Sequence, residues 1–203
     1  MDWADLARVA SAAAVLVVAD SVAVAAGLVA AVHLGGGEMK TARMLRHLTM
    51  PQWRAGRVLP RGALLQFERA IAESESRHSG QIRFAVENAL DFPALLRGQS
   101  ARERAIDVFA ALRVWDTEHN NGVLIYLLLA DRDVEIVADR GIHEKVGNRA
   151  WEEACHEMET AFREGRFEAG VLGGIANVSR YLETHFPRQG LGPNELPNRP
   201  AVL

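Results

Sequence analysis

At 203 residues, with 49% apolar and 24% charged side chains, the chain has the length of one domain plus appendages and the composition of a folded globular protein. A formal charge of -3 and a pI near 6.2 supply no basic field for a phosphate backbone, so nucleic acid is not an expected partner. A single cysteine, Cys155, excludes an intrachain disulfide and a thiolate zinc cluster, and it fits a reducing compartment.

The first 38 residues are apolar, and residues 12–34 are nearly all Ala, Val, Leu and Gly, long enough for a helix across the roughly 30 Å hydrocarbon core of a membrane. Asp20 interrupts them. A carboxylate there costs about 2.5–3.5 kcal/mol of insertion energy, against about 0.3–0.6 kcal/mol returned by each Val or Leu. Read as a membrane anchor, the segment has Asp2 and Asp5 ahead of it and Lys40, Arg43, Arg46, Arg54, Arg57 and Arg61 behind it. The positive-inside rule then keeps the following domain cytoplasmic. Read as untranslated leader sequence, it puts the start at Met39 and leaves a soluble cytoplasmic protein. A cleaved signal peptide fits neither the acidic head nor the missing small-x-small cleavage site.

Residues 39–60 form a lead-in, broken by Pro51 and Pro60. After Pro60, Leu64, Phe67 and Ile71 recur at helical spacing, with Gly80 as the expected C-terminal cap. In residues 81–87, Ile82, Phe84 and Val86 alternate with polar or small positions, the period of a half-buried strand. Ser100-Ala101-Arg102-Glu103 is a capping box and opens a helix with Ile106, Phe109 and Leu112 on one face. Residues 122–130 are an almost unbroken apolar run, suited to a central strand covered on both faces. Asp131-Arg132-Asp133 then turns the chain into an antiparallel strand carrying Val134, Ile136 and Ala138.

Two helices follow, one with Trp151, Cys155, Met158 and Phe162 on a stripe and one with Val171, Ile175, Val178 and Leu182, separated at Gly165. Cys155 lies on the apolar stripe and is expected to pack there rather than pair with His156. Gly170, Gly173 and Gly174 lack the strand and lysine of a phosphate loop and are expected to allow close helix contact. Pro187 marks the expected domain end, and residues 188–203, rich in Pro, Gly and Asn, are expected to be a disordered tail. This order predicts an α/β domain over residues 61–187, a small mixed sheet sandwiched by helices.

Oxygen ligands of the kind Ca²⁺ or Mg²⁺ requires fall at both ends of the hairpin. Asp131, Arg132 and Asp133 sit at its turn. Asp139 ends its second strand, where antiparallel pairing brings it to the start of the first, beside Asp116, Glu118, Asn120 and Asn121. That pool is the expected site, with Asp116, Glu118 and Asp139 as metal-binding carboxylates. Arg140 lies beside it, and His119 and His143 at the same end are candidates for a general base or a pH-sensitive group. The competing reading makes all of these turn and solubility residues, with Asn121-Gly122 shaping the backbone. No organic cofactor is expected.

The stretch Trp115-Asp116-Thr117-Glu118-His119-Asn120-Asn121-Gly122-Val123-Leu124-Ile125-Tyr126, followed by residues 129–142, resembles the signature of the TPM domain family. The family pattern is an Asn-Gly-Val-Leu strand, an Asp-Arg turn, then a strand whose closing glycine leads into a helix. The resemblance implies an α/β sandwich. For function it implies a binding or accessory domain, tied to Ca²⁺ and to a protein partner in a membrane-associated or stress-related assembly. The alternative it carries is a metal-assisted acid phosphatase acting on phosphopeptides or small phosphomonoesters, with Asp116 or Asp139 at the ion. Many relatives read glycine-aromatic-glycine-leucine-glutamate after the second hairpin strand. This chain has Asp139-Arg140-Gly141-Ile142-His143, a histidine in place of that carboxylate. Without a phosphate-cradling loop, and with Arg132 and Arg140 at opposite ends of one strand, binding is the expected role.

Overall fold

The apolar run after Asn121 becomes an inner strand, as its composition predicts. The computed structural model describes residues 38–51, 53–188, 190 and 192–203. Its strands β1 (Gln81–Glu87), β2 (Gly122–Leu128), β3 (Asp133–Ala138) and β4 (Ala201–Val202) form one sheet in the order β3-β2-β1-β4. β1 runs parallel to β2 and to β4, and β2 and β3 form the antiparallel hairpin, so the sheet is mixed. The helices are α1 (Glu38–Thr49), α2 (Trp53–Val58), α3 (Arg61–Glu75), α4 (Phe92–Arg97), α5 (Ala101–Ala111), α6 (Arg140–Val146), α7 (Asn148–Arg163) and α8 (Phe167–His185).

The chain divides into two units, residues 1–45 and 46–203. In the first, the described residues are 38–45, which are helical; the apolar stretch 12–34 lies outside the described residues. Among the described residues no helix is long and apolar enough to cross a membrane.

In the second unit the alternation of each strand sorts side chains to two faces. Ile82, Phe84 and Val86, Val123, Ile125 and Leu127, and Val134 and Ile136 enter one buried cluster with Phe67 and Ile71 of α3, Trp151, Met158 and Phe162 of α7, and Val171, Ile175, Val178 and Leu182 of α8. Each fully buried side chain of this kind contributes about 1.5–3 kcal/mol relative to exposure. The other face of β2, Leu124, Tyr126 and Leu128, is buried as well, under a helix layer to which α5 contributes Ala101, Ala105 and Val108. Arg104 of α5 pairs there with Glu87 at 2.8 Å, and Glu87 also accepts the Tyr126 hydroxyl at 2.7 Å.

The capping box at α5 is present. Ser100 Oγ accepts from the Glu103 amide at 3.1 Å, and the Glu103 carboxylate accepts from the Ser100 amide at 2.8 Å. Ser100→Ala should therefore cost about 1 kcal/mol. Urea unfolding should show it as a lower midpoint at unchanged slope.

Two expectations need correction. α3 ends at Glu75 and is capped by Ser76. Gly80 instead gives room to α8, for a Cβ there would lie 2.3 Å from Leu182 Cδ2. The tail is the larger difference, because residues 192–203 are not disordered and the domain does not stop at Pro187. Leu196 is buried, Ala201–Val202 pair with β1, and the Leu203 amide donates to Val86 O at 2.9 Å. The polar composition that suggests disorder is matched here by buried polar side chains of β1 instead of by water.

Candidate functional site

The hairpin register brings the end of β3 to the start of β2, and the Asp139 amide donates to Gly122 O at 2.8 Å. Asp139 then caps α6, with Oδ1 accepting from the Arg140 amide at 2.7 Å. Its other oxygen, Oδ2, is buried and has no hydrogen-bond partner among the described residues. The loop leading into β2 is held by the Asn121 amide donating to Thr117 Oγ1 at 3.1 Å and by Asn121 O accepting from the Gln81 amide of β1 at 3.3 Å. Asn121 is fully buried, and neither polar atom of its side chain has a partner among the described residues.

Asn120 adopts the left-handed region at φ 49° and offers its carbonyl to the Ile142 amide at 3.2 Å. Gly141 allows that approach, since a Cβ would stand 2.7 Å from Asn120 O and 2.8 Å from His119 O. A buried polar atom left unpaired costs about 1–3 kcal/mol. Asp139 Oδ2 and the Asn121 side-chain amide, just after β3 and just before β2, are thus buried polar groups whose partners the described residues do not supply. Both oxygens are hard donors, which fits Ca²⁺ or Mg²⁺.

The other expected ligands do not gather there. Asp116 is exposed and drawn to Arg113, 2.6 Å away, across a turn in which Arg113 itself has φ 54°. Glu118 is exposed, and its amide donates to the Glu195 carboxylate at 2.8 Å. With His119, Gln81, His185 and Arg188 it borders a cleft of about 540 Å³. Among the described residues no three His, Cys, Asp or Glu side chains form a metal-holding group, so Asp116, Glu118 and Asp139 do not make the expected trio. Arg140 is exposed, and the His143 amide is bonded to Asp139 O at 2.9 Å.

Asp131, Arg132 and Asp133 lie at the far end of β3. Asp131 meets His47 Nε2 at 3.1 Å, while His47 Nδ1 accepts from the Leu90 amide at 2.9 Å. Arg132 makes the turn at φ 54° and is exposed.

Asp133 belongs to a second concavity of about 560 Å³ beside β3, shared with Glu135, His143, Trp151, Cys155 and Glu159. Burial pushes Asp133 up to about 6, helped by the neighbouring charges of Glu135, Glu159 and Asp131. Burial also lifts Cys155 to about 12 despite a hydrogen bond with the Ile136 backbone, which disfavours the thiolate. Residue-by-residue reading misses this groove. Its signal is the polar stripe Glu152, His156 and Glu159 on α7 facing the polar positions of β3.

The family model for the TPM domain matches residues 55–181. Among solved structures the chain is similar to the BA42 protein from the psychrophilic bacterium Bizionia argentinensis, with 29% identity and a TM-score of 0.62 over 71% of this chain and 94% of that one. It shares its fold with the N-terminal domain of a protein from P. gingivalis, at 16% identity and a TM-score of 0.54 over 66% of this chain and 83% of that one. No curated protein matches the sequence.

Proposed function

The chain belongs to the TPM domain family, and from that premise we propose that it is a binding domain. It takes a divalent cation, Ca²⁺ first, where β3 ends and β2 begins, and serves a protein assembly through that end of the sheet. The observation that carries the reading is the pair of buried, unpartnered oxygens, Asp139 Oδ2 and Asn121 Oδ1, on adjoining strand ends. Asp139 Oδ1 is committed to the α6 amide, which leaves Oδ2 for the ion. Ca²⁺ tolerates such mixed sets, completing six to eight oxygens with carbonyls and water. When bound, it would neutralise the Asp139 charge and fasten the loop before β2 to the start of α6. That couples the ion to the shape of the surface a partner meets. A protein partner and a place in a membrane-associated or stress-related assembly are the roles this reading favours over hydrolysis.

The test is calorimetric titration of Ca²⁺ into the full chain, with Mg²⁺ as control, repeated with Asp139→Asn. Asparagine keeps an oxygen to cap α6 and removes the charge. Saturable binding should weaken about tenfold or more in the variant, while unfolding of the ion-free proteins stays similar. Absence of heat at millimolar Ca²⁺ would sink the proposal and assign the buried oxygens to water.

A further inference from the structure

The outer edge of β1 is furnished in an unusual way. An edge strand is ordinarily blunted by brevity, proline or outward charge. Here buried polar side chains are committed to the backbone of residues 192–203. Gln81, 4% exposed, uses one oxygen to accept both the Glu195 and Leu196 amides, at 2.9 and 3.0 Å. Arg83, 7% exposed, donates Nη1 to the carbonyls of Pro197 and Arg199. Glu75 at the end of α3 accepts from the Ile82 amide at 2.9 Å and also bonds the Asn198 side chain. Leu196 and Pro200 fill buried positions between these contacts, and the Leu203 amide continues the ladder onto Val86 O.

The segment itself contributes little regular structure, for β4 is two residues long. Most of its hold comes from receptors that read main-chain carbonyls and amides, with side-chain choice limited to a leucine, an asparagine and a proline. That is the recognition logic of strand addition, in which backbone bonds give affinity and alternate pockets give specificity.

We infer that the β1 edge is a binding groove for an extended Leu-Pro-Asn-x-Pro segment, that residues 192–203 occupy it in cis, and that the same segment of a second copy occupies it in trans. Reciprocal exchange keeps every contact described above, so the main cost of the trans form is association entropy. In the isolated chain the tethered segment competes at an effective concentration on the order of millimolar and hides the groove.

The test uses two full-length variants. Leu196→Asp/Leu203→Pro spoils the segment, removing its buried anchor and the amide that bonds Val86, and leaves the groove intact. Arg83→Ala spoils the groove and leaves the segment intact. Each alone should be monomeric in sedimentation, and an equimolar mixture should give a one-to-one complex. A labelled peptide of residues 192–203 should bind the first variant about a hundredfold more tightly than it binds the wild type. Folded variants that neither associate nor bind the peptide would overturn the inference. Should a variant unfold, hydrogen exchange on the wild type decides. The Glu195, Leu196 and Leu203 amides must exchange faster than those of β2, because a segment that opens only with the whole domain could never be traded.

Discussion

Glu75→Gln should gain about 3 kcal/mol in stability relative to wild type between pH 4.5 and pH 8. Glu75 is 5% exposed. Burial lifts its carboxyl from 4.5 to about 7, with the Ile82 amide, Asn198, Arg188 and Arg83 pulling the other way. Because its folded value is raised, the stability it contributes is present below pH 4.5 and is lost as pH climbs through about 7. Glutamine keeps an acceptor for the Ile82 amide and does not titrate. The buried His78 behaves in the opposite sense, since burial lowers its ring from 6.5 to about 4. Its contribution is present above pH 6.5 and disappears as pH falls through about 4. In wild type the two slopes oppose each other over most of this range; in Glu75→Gln the His78 slope is left, and acid should weaken the variant more steeply. Urea unfolding of both proteins at pH 4.5, 6 and 8 checks this, and parallel profiles would mean that Glu75 titrates as an ordinary glutamate.

A second large effect is expected at Gly122. A Cβ on this first residue of β2 would lie 2.0 Å from Val114 O and 3.1 Å from the carbonyl carbon behind it. The obstacle is backbone, and β2 cannot retreat because it is paired on both sides. Gly122→Ala should cost about 3 kcal/mol or more. For a domain of this size that lowers Tm by roughly 6–12 °C. If the proposed Ca²⁺ site holds, Gly122→Ala should also weaken it, since Gly122 O anchors the Asp139 amide. Gly173→Ala is the control: the space there is open, and an alanine inside α8 should be neutral or stabilise by up to about 1 kcal/mol. Similar losses at both positions would remove the steric argument.

The centre of the sheet was readable because its signals are local. The apolar run of β2, the alternation of β1, the Asp-Arg turn and the capping box each lie within a dozen residues, and the element order then fixes the mixed sheet between helices. That the end of β3 lies beside the start of β2 was readable too, since antiparallel pairing converts sequence positions into neighbours. What escaped depends on distant partners. Every residue of β1 is buried, including the polar positions Arg83 and Glu87, because residues 195–203 cover one and Arg104 and Tyr126 hold the other. The tail reads as disordered until Gln81 and Arg83 are placed against it. α4 has local signals, an Asp91 cap, a proline in its first turn and Gly98 at φ 70°, yet six residues give too little periodicity to register. Asp116 and Glu118 do not group with Asp139 among the described residues: Asp116 pairs with Arg113, and the loop before β2 passes through left-handed backbone at Arg113 and Asn120, which side-chain spacing does not encode.

Closure of the β1 edge by the tail also bears on synthesis. Glu195 and Leu196 follow Gln81 by 114 and 115 positions. A nascent chain can therefore pair β1 with β2, and β2 with β3, while the ribosome has still to deliver the residues that cover the remaining edge. Throughout that interval the growing polypeptide carries an unsatisfied strand with a buried-type arginine turned to solvent or to a neighbouring nascent chain. Slow translation of residues 192–203 would prolong that exposure.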